Sequence, residues 1–197
     1  MSEPMLILAS ASPRRAELLR QLGLEFEVIP SQVEEVHSND LSAGEVAQIN
    51  AYRKARAISK KHPDAITLGV DTVVTFGGRI FGKPANLEEA EEMLLTMSGQ
   101  LHQVVTGVCL IHLRAHRQRI FFEQTDVTFR PMTLAQIRHY HSQVTPLDKA
   151  GGYGIQEKGD VLVESLSGSF TNVIGLPLER LETELAAFGL PLPQIAR

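Results

Sequence analysis

Met5-Leu6-Ile7-Leu8-Ala9-Ser10-Ala11-Ser12-Pro13-Arg14-Arg15-Ala16-Glu17 joins a short apolar run to the start of an amphipathic one. The run Met5 to Ala9 predicts a buried strand. Ser12 is a good N-cap and Pro13 a good first helical residue. Leu18, Leu19 and Leu22 then share one face and Gly23 supplies a stop, which predicts a helix from Ser12 to Leu22. A strand that feeds a helix through a tight turn is the opening of an α/β chain. Two arginines occupy the first helical turn, where the helix dipole favours acids. Free N–H groups at a helix start and two guanidinium forks make an anion site. Two solvated surface arginines are the competing reading, and spacing alone does not separate the two.

The pattern continues along the chain. Phe26 to Pro30 reads as a second short strand. Ser42 and Glu45 form a capping box for a helix that carries Val46, Ile49, Lys54 and Ala57 toward Lys61. Ile66 to Thr75 reads as a strand, turned by Gly77-Gly78 into Arg79–Phe81. Asn86 and Glu89 form another capping box, for a helix through Met93, Leu94 and Met97 that stops at Gly99. Strands are expected at Gln103–His112 and Ile120–Phe129, joined by a basic turn. A helix from Thr133 to Ser142, a Gly-rich loop at 150–156, a strand at Val161–Ser165 and a helix from Pro177 to Phe188 complete the reading. There is no internal repeat or flexible linker. The expectation is a single α/β domain over residues 1–197, with a mixed sheet because hairpins alternate with helices.

Composition narrows the function classes. A hydrophobic content of 43% with 21% charged residues is that of a soluble globular chain. The net charge of −4 argues against a nucleic-acid partner, so positive charge used on a ligand has to be local. Cys109 is the one cysteine and lies in an apolar run, so it reads as a buried small hydrophobe, in keeping with a reducing cytoplasm. The N-terminus has no signal-peptide pattern and no stretch reaches membrane-spanning length, so the expectation is a cytoplasmic protein with no membrane partner.

Several residues could carry chemistry. Asp71 interrupts the apolar strand Leu68-Gly69-Val70-Asp71-Thr72-Val73-Val74, where a charge is expensive. It is either an exposed strand end or a carboxylate at a cleft, fit to act as general base or to hold a metal. Glu34 and Glu35 are adjacent acids in a loop; beside phosphates, one of them becomes a candidate Mg²⁺ ligand. Lys83 is held extended by Pro84, and Lys54 lies on the second helix between Arg53 and Arg56. Each lysine alone reads as a surface charge. The loop Asp148-Lys149-Ala150-Gly151-Gly152-Tyr153-Gly154-Ile155-Gln156 permits close backbone approach to a ligand, but it is neither a Walker A loop nor a dinucleotide fingerprint. Gln156 has the paired donor and acceptor needed to read a base edge. The histidines show no metal-ligand spacing, and there is no nucleophile elbow or Cys–His pair, so metal-assisted water attack has more support than nucleophilic catalysis. Phe121 and Phe122 fit a partner surface or a core equally.

Taken in order, these motifs resemble the Maf family: Leu8 to Arg15, Val33-Glu34-Glu35, Lys54-Ala55, Gly69-Val70-Asp71-Thr72, Gly82-Lys83-Pro84, Ser98-Gly99, Val105-Thr106-Gly107, Asp148 to Gln156, and Asn172 to Leu178. The resemblance spans nearly the whole chain. It implies the inosine-triphosphatase-like fold, an elongated mixed sheet with two lobes and a central cleft. It also implies a nucleoside triphosphate pyrophosphatase that yields a nucleoside monophosphate and pyrophosphate with a divalent metal (Mg²⁺, Mn²⁺ or Co²⁺). Carried onto this chain, it makes Asp71 the catalytic base and a metal ligand, Glu34 a metal or water partner, and Arg14, Lys54, Lys83, Ser10 and Ser12 the substrate-binding set. Arg14, Thr72 and Gln156 look like the branch that acts on dTTP and UTP, with modified pyrimidine nucleotides as further candidates. The 7-methyl-GTP branch has a tryptophan at the first of these places, and this chain has none. Arg53, where Glu is common, and Gly152, where Ala is usual, depart from the pattern. The resemblance also implies a homodimer and leaves a second reading open: a nucleotide-binding regulator of cell division, tied to septum inhibition.

Overall fold

In a computed structural model, which describes residues 4–38, 40–190 and 192, the chain runs β1 (Leu6–Leu8), α1 (Pro13–Arg20), β2 (Phe26–Val28), α2 (Ala43–Ser59), β3 (Ile66–Phe76), β4 (Arg79–Phe81), α3 (Leu87–Met97), β5 (Leu101–His112), β6 (Arg117–Phe129), α4 (Leu134–His141), α5 (Gly159–Leu162), β7 (Val163–Ser167), α6 (Phe170–Ile174) and α7 (Leu178–Phe188). The strands form one sheet in the order β2-β1-β3-β5-β6-β7, with β4 added beside β3. β1 is parallel to both neighbours, and the remaining pairs are antiparallel. The mixed α/β sheet is the one expected from the alternation of helices and hairpins.

Long β3 and β5 form the spine, paired without a break from Ile66↔His112 to Thr75↔Gln103. Their alternation sorts residues onto two faces. On one face, Leu68, Val70, Val108 and Leu110 pack with α1 and α7 through Leu18, Leu19, Leu181 and Leu185. Farther along the same face, Val74 and Val104 pack with Met93, Leu94, Met97, Ile137 and Tyr153. Thr72 and Thr106, directly opposite each other, fall between these two cores. The opposite face of the spine is covered by α2, which buries Val46, Ala47, Ala51 and Ala55 against Val73, Val105 and Cys109.

α2 lies close to the sheet because two strand positions under it have no side chain. A Cβ at Gly69 would stand 2.1 Å from the Ala51 carbonyl oxygen, and one at Gly107 would stand 2.3 Å from that of Ala47. The Ser42/Glu45 capping box that starts α2 forms reciprocally.

Local differences from the sequence reading have simple causes. Ser12 is the N-cap of α1, yet its side chain makes no capping bond. Asn86 caps Glu89 N, while Glu89 Oε2 accepts from Ala85 N instead of Asn86 N, so that box is half formed. The last strand begins at Val163 rather than Val161, because Gly159–Leu162 closes a helical turn that buries Leu162. α6 was not anticipated, since one five-residue turn is too short to show a period. Phe121 belongs to the core, whereas Phe122 points to the other face beside Gly44.

Candidate active site

A cleft of about 360 Å³ opens between the two cores, bounded by the turn before α1, the end of β4 and the Gly-rich loop. Asp71 sits on its floor. It is 4% exposed and comes from β3, opposite Gly107. A buried carboxylate is tolerated only when paired and hydrogen-bonded. Lys54 Nζ reaches Asp71 Oδ1 at 2.6 Å, and Asn50 Nδ2 donates to Oδ2 at 3.0 Å. Both partners come from α2, one turn apart, so the close helix–sheet contact at Gly69 and Gly107 delivers both to the carboxylate.

Lys54 Nζ also meets Glu35 Oε1 at 2.6 Å, so one ammonium joins two carboxylates. Partial burial pushes the Glu35 carboxyl up, but the charge and hydrogen bond of Lys54, with the charges of Lys83 and Arg15, outweigh it and hold the group below its ordinary value. Glu35 is therefore an anion facing the cleft. Glu34 is exposed and stands outside the cleft lining. Of the two adjacent acids it is Glu35, not the expected Glu34, that lines the cleft and meets Lys54. In a segment without helix or strand, adjacent acids give no period by which to choose between them.

The two arginines at the start of α1 part company. Arg15 turns inward as a brace: its guanidinium donates to Ser10 Oγ at 2.9 Å, Val70 O at 3.1 Å, Thr72 Oγ1 at 2.9 Å and Gly175 O at 3.0 Å. Desolvation lowers its pKa, partly countered by the Asp71 and Glu35 charges. Arg14 faces the cleft and reaches across it to Asp148. Ser10 Oγ also accepts from Ser12 N at 3.3 Å, which shapes the turn, and the Ser12 hydroxyl lines the cleft. Thr72 Oγ1, besides meeting Arg15, shares a 3.0 Å bond with Thr106 Oγ1.

The far wall comes from the Gly-rich loop and the end of β4. Gly151 N donates to Gly82 O at 2.9 Å, which ties the loop to the residue before Lys83. Gly151 adopts φ +71°, and a Cβ there would meet Val74 Cγ2 at 3.0 Å. Buried Lys149 fixes the loop from within, through Thr145 O, Asp148 and Glu157. Lys83 and Gln156 line the cleft. The structure thus brings Ser10, Ser12, Arg14, Lys54, Asp71, Thr72, Lys83 and Gln156 to one cleft and leaves Glu34 out. The sequence reading missed Asn50, and it gave Asp148, Lys149 and Arg15 no individual roles.

Among the described residues, no group of three or more His, Cys, Asp or Glu side chains could hold a metal ion. Two carboxylates sharing one cation is nevertheless the donor set that suits Mg²⁺-type ions, which take one or two carboxylates and complete their shell from phosphates and water. Glu35 and Asp71 fit such an ion.

Known proteins resemble this chain over nearly its whole length. A family model described as Maf-like protein matches residues 5–188. A dTTP/UTP pyrophosphatase of Symbiobacterium thermophilum is 48% identical over 189 residues, covering 95% of each chain. One from Bacillus anthracis is 45% identical over 185 residues, covering 94% of this chain and 96% of that one. Among solved structures, a HAM1 protein from Coxiella burnetii superposes with a TM-score of 0.53 at 18% identity, over 93% of this chain and 99% of that chain, a likeness of fold.

Proposed function

The chain belongs to the Maf-like protein family, and from that premise we propose that it is a nucleoside triphosphate pyrophosphatase acting on dTTP and UTP. The relatives that carry this activity by name align with this chain over nearly its full length. The observation that carries the mechanism is the buried Asp71–Lys54–Glu35 cluster at the floor of a cleft with Arg14 and Lys83 on its walls.

In this reading Arg14, Lys83 and the start of α1, with the Ser10 and Ser12 hydroxyls, bind the triphosphate. Water attacks the α-phosphorus, the bond from that phosphorus to the bridging oxygen breaks, and pyrophosphate leaves with the electron pair. Asp71 accepts the proton of the attacking water. Its oxygens offer about four lone-pair sites, of which Lys54 and Asn50 use two. Glu35 and Asp71 would hold a divalent cation, which when bound neutralises phosphate oxygens and makes water more acidic. The Gln156 amide offers a donor and an acceptor to the imide edge of uracil or thymine, while Thr72 and Arg14 shape the same pocket. Among the described residues no helix is long and apolar enough to cross a membrane.

The test is pyrophosphate release from dTTP, UTP, CTP, GTP and 7-methyl-GTP with Mg²⁺, Mn²⁺ or Co²⁺. Preference for dTTP and UTP is the expected result. Preference for another base would keep the reaction and discard the roles of Arg14, Thr72 and Gln156 in selecting it. Nucleotide binding without turnover under every metal would favour a regulator over an enzyme.

A further inference from the structure

Asn50 is 2% exposed and lies on α2 one turn before Lys54. Its carboxamide makes three hydrogen bonds. Oδ1 accepts from Val36 N at 2.7 Å, and Nδ2 donates to Val36 O at 3.1 Å and to Asp71 Oδ2 at 3.0 Å. Chemistry fixes the orientation of this amide: the Val36 N–H needs an acceptor, so the oxygen must face it and the NH₂ must face the carboxylate. One side chain therefore joins three pieces of the site: α2, the floor strand, and the backbone beside Glu35. Lys54 constrains Asp71 through Oδ1 alone, and a single ammonium contact leaves a carboxylate free to rotate about its last bond. The second contact, at Oδ2, fixes the carboxylate plane and hence the direction of the lone pairs left for water.

We propose that Asn50 is a positioning residue for hydrolysis, holding the Asp71 carboxylate and the Glu35 backbone in one fixed relation. The inference rests on Asp71 serving the attacking water. A misplacement of about 1 Å at a reacting group can cost on the order of 100-fold in rate while leaving binding intact. The role therefore separates kcat from affinity, which a merely structural asparagine would not do.

The experiment compares wild type, Asn50→Leu, Asn50→Asp and Asp71→Asn. It measures kcat and KM for dTTP, the dissociation constant of α,β-imido-dTTP (which resists cleavage at the α–β bridge), and thermal melting. Asn50→Leu removes all three bonds and keeps the branching at Cγ. Asn50→Asp keeps the shape and the acceptor for Val36 N–H, loses both donated bonds, to Asp71 and to Val36 O, and sets a like charge beside Asp71. Both are expected to lower kcat by about 10- to 100-fold, and in Asn50→Leu, which adds no charge, KM and analogue affinity stay within about threefold of wild type. Three results would overturn the proposal: an unchanged kcat in folded Asn50→Asp, a loss of analogue affinity equal to the loss of kcat in Asn50→Leu, or an Asn50→Asp protein with no cooperative melt. The Asp71→Asn arm keeps the two readings apart. If Asp71→Asn turns over dTTP like wild type, the reading of Asp71 fails. If Asp71→Asn is inactive and Asn50→Asp is not, only the positioning role fails.

Discussion

Arg14 Nη1 lies 2.8 Å from Asp148 Oδ2, and Arg14 Nη2 lies 3.3 Å from the Asp148 carbonyl oxygen, so the start of α1 and the head of the Gly-rich loop meet across the mouth of the cleft. Partial burial pushes the Asp148 carboxyl up, but hydrogen bonds from Lys149 and Arg14 outweigh it and hold the group below its ordinary value. The carboxylate therefore stays charged at neutral pH, and in the proposed mechanism an arriving phosphate competes with it for the same guanidinium.

Arg14→Ala is expected to raise KM for dTTP by about tenfold, the value of one charge-assisted contact. Stability should hardly change. A solvent-accessible ion pair contributes about 0–1 kcal/mol, and about 1 kcal/mol moves the Tm of a domain of this size by about 2–4 °C. Steady-state kinetics with a melting curve checks both; a collapse in Tm at unchanged KM would make Arg14 a structural tie.

Asp71→Asn is expected to lower kcat by about 10²- to 10⁴-fold, the contribution of a positioned general base. Binding of α,β-imido-dTTP without added metal should be no weaker than in wild type, since the anionic phosphates lose one like charge. Titration calorimetry on the variant measures this directly.

Gly107→Ala would drive a methyl group to within 2.3 Å of the Ala47 carbonyl and 2.6 Å of Gln48 N, both backbone. Overpacking of this kind costs about 1–3 kcal/mol or more, and it lifts the stretch of α2 that carries Asn50 and Lys54. Stability and kcat should therefore fall together. Gly77→Ala is the contrasting case. Its φ of +59° makes alanine strained, but no atom lies within 4 Å of the added carbon. It should cost about 1 kcal/mol with kcat unchanged. Urea melts with dTTP assays on both variants test the contrast.

His102 is 1% exposed and hydrogen-bonds Tyr153 OH through Nε2 at 2.8 Å, with Phe129 edge-on. Burial pushes its pKa down to about 4. Between that value and the unfolded value near 6.5, the unfolded chain binds more protons than the folded one. Stability from this residue is thus complete above pH about 6.5 and declines as pH falls toward 4, by about 3 kcal/mol in all. His102→Gln should flatten that part of the Tm–pH curve. An unchanged slope would mean that other groups set it.

Much of the fold was legible in the sequence because its signals are local. The Ser42/Glu45 box, the Gly77-Gly78 turn and the apolar run of β3 each act over a few residues, and each is where it was expected. Asp71 stood out because a charge in such a strand needs a reason. What stayed hidden depends on distance in space. Glu35 is separated from Glu34 only by which one meets Lys54, nineteen residues on. Asn50 is an ordinary polar residue on a helix until Asp71, twenty-one residues later, arrives beneath it. Arg15 looks like a twin of Arg14, and among the partners that hold it inward is the Gly175 carbonyl, a hundred and sixty residues away.

The two cores flanking the cleft rest on the same two strands, with no linker between them. β3 and β5 stay in register through Asp71↔Gly107 and Thr72↔Thr106. Lobes joined by a hinge open by swinging apart; here such a swing would have to break the ladder at Asp71. The mouth of the cleft is bounded by the turn before α1 and the loop from Asp148 to Gln156, which the Arg14–Asp148 pair links. In the proposed mechanism bond cleavage thus falls on the continuously paired strands, and passage of nucleotide and pyrophosphate on the turn and loop at the mouth. On the proposed mechanism cleavage and release are consecutive steps, and the slower of them sets turnover: substitutions at the mouth act on release, and substitutions under α2 act on bond cleavage.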